Sequence, residues 1–159
     1  MNEHFTKEII GIPRPSHLFI LQHSYPTIPI DSIYKISEEA RRILLVKLIQ
    51  SDTLSFKTMD NRIIKHWIQE AGYSFPSGHS FNAFLLATIL TFSLYHSRIL
   101  WVRKTYILPL SWAFLVAVSR VAIGAHSSLD VLFGGALGLL IGHFFLFFDY
   151  SRAIITARE

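Results

Sequence analysis

Apolar residues are unevenly distributed along this chain of 159 residues. Up to about residue 75 they alternate with charges at helical spacing. Beyond residue 79 they gather into three blocks, 80–95 (SFNAFLLATILTFSLY), 106–124 (YILPLSWAFLVAVSRVAIG) and 129–148 (LDVLFGGALGLLIGHFFLFF). Each block approaches the roughly 20 residues that a helix needs to cross a bilayer. The pattern predicts three transmembrane helices. Core helices of a soluble protein share this composition, a reading strongest for 80–95, which is short and starts polar. It is weakest for 131–148, which holds no acid and no Lys or Arg.

The first half has the period of amphipathic helices. Asp31 or Ser37 is placed to cap a helix through SEEARRILLVKLI. From Thr58 to Ala71, the residues Met59, Ile63, Ile64, Trp67, Ile68 and Ala71 recur at three- and four-residue spacing, and Gly72 is placed to end that helix. These faces suit packing against a bundle or lying at a lipid interface, and Trp67 fits either. Residues 24–30 (SYPTIPI) hold two prolines and read as an extended connector. The expected fold is an all-α, integral membrane helical bundle in a single domain, 1–159, with 16–75 as an extramembrane helical insertion.

Composition agrees with a membrane setting, since 51% hydrophobic residues, 13 Phe and a mean hydropathy of +0.38 are too apolar for a fully solvated surface. The net charge of +4 does not come from a basic block interleaved with aromatics, so it points to anionic lipid and not to nucleic acid. Having no cysteine, the chain excludes disulfides, thiolate metal sites and cysteine nucleophiles. The first fifteen residues lack the apolar run of a secretory signal. Arg98, Arg103 and Lys104 lie between the first two blocks, and Arg152 and Arg158 follow the third, so these ends are expected on the cytoplasmic side. The opposite ends then share the periplasmic or extracellular face.

Those opposite ends carry the chemistry. Pro76-Ser77-Gly78-His79 stands where the first block begins. A helix start offers unpaired N–H groups and partial positive charge, Ser77 is a favoured N-cap, and Gly78 lets an anion approach the backbone. A plain capped helix after a proline turn accounts for Ser77 and Gly78 equally well, though not for His79. In Ser119-Arg120-x5-His126-x3-Asp130, the last two are four apart and share a face if helical, so the carboxylate can accept the imidazole N–H and leave the other nitrogen for attack. A structural His–Asp pair fits the same spacing. Arg120 suits bidentate phosphate binding or snorkelling to headgroups. Lys7-x6-Arg14-Pro15 adds two cations, the second on a rigid proline segment.

Taken together, fixed cations, backbone N–H groups and two imidazoles describe a phosphoryl-transfer site. Two His and one Asp also suggest a metal, but Lys7, Arg14 and Arg120 would repel a divalent ion, so no metal and no cofactor is expected. His4, His17, His23, His66, His96 and His143 lack such spacing and read as structural or solvated.

The three motifs resemble the signature of the type 2 phosphatidic acid phosphatase family, which shares its site with vanadium haloperoxidases. HWIQEAGYSFPSGHSF resembles in particular the bacterial phosphatidylglycerophosphatase B branch, whose members also act on undecaprenyl diphosphate. The resemblance implies that His126 is the nucleophile and forms a phosphohistidine, that Asp130 orients it, and that His79 is the general acid. It implies phosphoryl contacts from Lys7, Arg14, Ser77, Gly78 and Arg120. Membrane members of the family usually have three spans before the first motif, whose lysine is here residue 7. The expectation is therefore an N-terminally truncated chain, completed by missing helices or by a complementing chain. The stripe Gly134, Gly138, Gly142 suits a close helix contact, with such an absent partner as its expected mate, although glycine is also simply common in membrane helices.

The function expected is hydrolysis of a lipid phosphate or diphosphate, first undecaprenyl diphosphate and next phosphatidylglycerophosphate or phosphatidate, at the outer face of a bacterial inner membrane. A truncated, inactive membrane protein with a binding or assembly role is the alternative of another class. A soluble vanadate-holding oxidoreductase is disfavoured by the three apolar blocks.

Overall fold

The computed structural model describes residues 10–23 and 28–156, and among these every regular element is helical. They form two compact units, one of residues 1–75 with 121–127 and one of residues 76–120 with 128–159.

Within the described residues the first unit includes α1 (Pro15–Gln22), α2 (Ile30–Tyr34), α3 (Glu38–Ser51), α4 (Thr53–Phe56) and α5 (Asn61–Gln69). Ser37 Oγ accepts the Ala40 N–H to start α3, and Glu38 and Glu39 in the first turn complement the helix dipole. Asp60 does the same for α5 by accepting the Arg62 N–H, which starts that helix two residues later than the apolar period alone suggests. Ile20, Leu21, Ile33, Leu45, Leu48, Phe56 and Trp67 close into one core. Burying each large apolar side chain there contributes about 1.5–3 kcal/mol.

Arg41 is buried beside this core, a costly placement for a charge unless every donor is met. It donates to the carbonyls of Ile33, Tyr34 and Ile36, where α2 leaves acceptors without helical partners, and to the carbonyl of Ala71. One side chain thus ends α2 and ties it to the segment after α5.

The second unit contains α6 (Gly78–Tyr95), α7 (Leu100–Arg103), α8 (Leu108–Ala122) and α9 (Ser128–Thr156). Gly134 of α9 lies against the Ser77 carbonyl, Gly138 against the Phe81 carbonyl and Gly142 against Thr88. Because these partners advance together, α6 and α9 run parallel and in backbone contact. The stripe therefore has its partner inside this chain, which corrects the expectation of an absent one. Glycine spacing marks a face for close approach, but does not say which helix will approach it. Ala83 and Ala87 of α6 pack on Ala113 of α8, small residues once more at a helix contact. The rings of Tyr95, at the end of α6, and Tyr106, just before α8, meet at 5.6 Å, while Ala83 and Ala87 pack further along with Ala113, so α8 runs antiparallel to α6.

Among the described residues, two helical stretches are long and apolar enough to cross a membrane, Leu100–Ala122 with mean hydropathy 1.5 and Ser128–Phe148 with 2.1. Only 11% and 22% of these windows are buried, whereas a soluble core helix would be mostly buried. Phe114, Leu115, Leu132, Leu140 and Phe147 all face outward and are more than half exposed, as lipid contact requires. α6, at 18 residues, spans about 27 Å and carries His79, Ser80 and Asn82 in its first turn. At the far end of this unit Tyr95, Trp101 and Tyr106 are exposed beside Arg103 and Lys104, whose ammonium sits 5.0 Å from the Trp101 ring centroid. This is the make-up of an interfacial aromatic belt.

Candidate active site

In the first unit the geometry is built on Arg14, the N-cap of α1, with Pro15 behind it. The side chain is buried and donates from all three of its nitrogens: Nε to the Gly72 carbonyl at 2.9 Å, one Nη to the Ala125 carbonyl at 3.0 Å, the other to Glu70 Oε2 at 2.7 Å. A guanidinium held on three sides has a set direction, which a solvated arginine lacks.

The segment before α9 is fastened residue by residue. The carbonyls of Ile123, Gly124 and Ala125 accept, in order, from Trp67 Nε1 at 2.6 Å, the Ser16 N–H at 3.1 Å and Arg14 at 3.0 Å. Gly124 has φ +69°, where a side chain is strained and would also press on the Trp67 ring. The next residue is His126, buried to 4% exposure. Arg14 and His126, which are far apart in sequence, are thus brought together through Ala125. His126 precedes α9 by two residues and lies off the helix, so the expected one-face relation to Asp130 does not apply.

In the second unit the parallel pairing sets two helix N-termini side by side. The Ser77 N–H donates to the Asp130 carbonyl at 3.0 Å, and Ser77 Oγ caps α6 by accepting from the Ser80 N–H and the Ser80 hydroxyl. Ser77 and Asp130 are both buried. Gly78 and His79 are the first two residues of α6. Adjacent N-termini add their partial positive charges and point N–H groups at the same end, which suits an anion. Arg120 lies in the last turn of antiparallel α8, at the end where α6 begins. Its Nε is buried and meets no hydrogen-bond partner among the described residues.

The structure thus joins Arg14 with the His126 loop in one unit, and Ser77, Gly78, His79, Arg120 and Asp130 at one end of the other. Lys7 lies outside the described residues. Sequence reasoning placed Gly72 only as a helix end and did not single out Glu70, Gly124 or Tyr34, because the contacts that bring the Glu70 carboxylate, the Gly72 carbonyl and the Tyr34 hydroxyl to Arg14 span tens of residues, which no local spacing encodes.

His17 is structural and has a measurable consequence. Burial, then the charges of Arg14 and Arg41, push its pKa from 6.5 down to about 3 against the pull of the Trp67 carbonyl. The unfolded chain takes up this proton below about pH 6.5 and the folded chain does not, so stability is complete above pH 6.5 and falls as the pH drops towards 3. The expected slope between pH 6.5 and 5 approaches about 1.4 kcal/mol per pH unit. Thermal melts across that range should show it, and His17→Asn should flatten it.

The PAP2 superfamily profile matches residues 2–153. The chain is 36% identical over 113 residues to phosphatidylglycerophosphatase B of Bacillus subtilis, covering 62% of this chain and 55% of that protein. With phosphatidylglycerophosphatase B of Haemophilus influenzae identity is 27% over 157 residues, covering 96% and 61%. With bacitracin transport permease protein BcrC of Bacillus licheniformis it is 38% over 94 residues, covering 58% and 41%. The chain therefore spans less than two thirds of the length of each of these relatives. A match along nearly all of its own length, with the basic, serine-glycine-histidine and histidine-aspartate motifs inside it, places this chain in the PAP2 superfamily.

Proposed function

We propose that this chain is a membrane lipid phosphatase that hydrolyses undecaprenyl diphosphate to undecaprenyl phosphate and inorganic phosphate at the outer face of a bacterial inner membrane. The observation that carries the reading is the pair of parallel helix N-termini in which Ser77 and Asp130 are hydrogen-bonded. In this reading α6 is a third span, and the basic ends of the helices lie on the cytoplasmic side.

His126 attacks the terminal phosphorus through an imidazole nitrogen and forms a phosphohistidine. As the bond from the terminal phosphorus to the bridging oxygen breaks, His79 gives its proton to that oxygen and undecaprenyl phosphate leaves. Water then attacks the phosphohistidine, His79 takes a proton from it, and phosphate departs. Lys7, Arg14, Arg120, Ser77 and the Gly78 backbone stabilise the equatorial oxygens, where charge is greatest in the transition state. A second reading, phosphatidylglycerophosphate as substrate, is favoured by the names that two of the relatives carry.

The test is phosphate release by the full chain in detergent from undecaprenyl diphosphate, phosphatidylglycerophosphate and phosphatidate, compared at equal surface concentration. No release from any of them removes the reading. Since arginine and lysine supply the positive charge, turnover should persist in EDTA and be inhibited by orthovanadate, which adopts the five-coordinate geometry of the transition state. Activity lost in chelator and restored by Mg²⁺ would replace this mechanism with a metal-assisted one.

A further inference from the structure

We propose that Tyr34 and His17 are positioning residues for Arg14, acting through its backbone. The proposal rests on the phosphatase reading above for the role of Arg14, but its geometry stands independently.

Arg14 has an extended backbone (φ −73°, ψ 141°) at the start of α1, and its own side chain does not cap the helix. Its N–H is donated to Tyr34 Oη at 3.0 Å, and the same hydroxyl shares a 2.7 Å hydrogen bond with His17 Nδ1, one turn into α1. His17 is fully buried and stays neutral, and the Tyr34 hydroxyl, whose oxygen accepts from Arg14, has its own proton to give to Nδ1 in the tautomer that carries hydrogen on Nε2. Burial also raises the Tyr34 pKa above its usual 10, keeping that proton in place.

Tyr34 is itself held. Its ring stacks on Tyr73 at 4.4 Å, and the Arg41 guanidinium lies 4.2 Å from its centroid. Tyr73 adjoins Gly72, whose carbonyl accepts from Arg14 Nε. Both ends of Arg14, the backbone N–H and the guanidinium, are thereby referred to the same short segment. An arginine fixed at both ends loses less rotamer entropy on taking a phosphoryl group, so these two residues raise affinity without touching the anion.

The experiment is a double-mutant cycle in the full chain, reading orthovanadate affinity by calorimetry, kcat/KM for phosphate release, and melting temperature. Tyr34→Phe should weaken vanadate and lower kcat/KM by about tenfold, and should do neither in the Arg14→Ala background, because coupled residues are non-additive. Asn at 17 keeps an acceptor near Nδ1, so His17→Asn should retain wild-type vanadate affinity while His17→Leu follows Tyr34→Phe. That pair carries the same comparison if Tyr34→Phe does not fold. Equal losses from Tyr34→Phe with and without Arg14, or an unchanged vanadate affinity in the folded variant, would overturn the positioning role. A wild type that binds vanadate through Arg14 but releases no phosphate would sink the phosphatase reading alone, leaving this proposal to stand on the vanadate cycle.

Discussion

His126→Ala is expected to lower phosphate release by roughly 10⁴-fold or more, the scale seen when a covalent nucleophile is removed. His126 directly follows the three fastened carbonyls of Ile123, Gly124 and Ala125, so its backbone position is set by the fold. His79→Ala should cost about 10²–10⁴-fold, the usual share of a general acid, and less with an aryl phosphate whose leaving group needs no proton. Brief exposure to ³²P-labelled substrate and acid-sensitive labelling distinguishes the two. The wild type and His79→Ala should carry label, and His126→Ala none. Label retained by His126→Ala would move the nucleophile elsewhere.

The second large effect is on the fold. Gly138→Ala should lower the melting temperature in detergent by about 2–12 °C, corresponding to the roughly 1–3 kcal/mol of overpacking. The added methyl would meet the Phe81 carbonyl and the Leu85 nitrogen, backbone atoms that move only if the whole of α6 moves. In a bilayer, apolar burial does not draw helices together, so lost backbone packing is not made up by other contacts. Gly134→Ala meets the Ser77 backbone and should cost activity as well, because it displaces the α6 N-terminus from Asp130. Gly135→Ala is the control. The three atoms nearest its methyl belong to the Phe84 ring, which can turn aside, and a loss equal to that of Gly138→Ala would discredit the backbone argument.

Ser37 could be named as a cap, Trp67 as part of an apolar face and the three apolar blocks as helices, since each depends on residues within one or two turns. Membrane character was legible for the same reason, being a sum over about 20 neighbours. Gly134, Gly138 and Gly142 were visible as a stripe, but their partner was not. His126 and Asp130 had a helical spacing without a helix under both of them, because Gly124 at positive φ and the acceptor contacts of 123–125 hold that segment as a loop. Arg41 looked like one more charge on an amphipathic helix. Only the fold shows it buried against four carbonyls.

By itself, then, the sequence determined the residue chemistry of the site, the helical class and the membrane-length apolar runs, all properties of composition and short-range period. The tertiary structure alone decided that α6 and α9 run parallel with their N-termini together, that Arg14 is aimed by Glu70, Gly72 and Ala125, and that Tyr34 and His17 stand behind it. These are contacts between groups distant in sequence. They are selected by which backbone donors and acceptors must be satisfied once the core has closed, and no linear pattern carries that information.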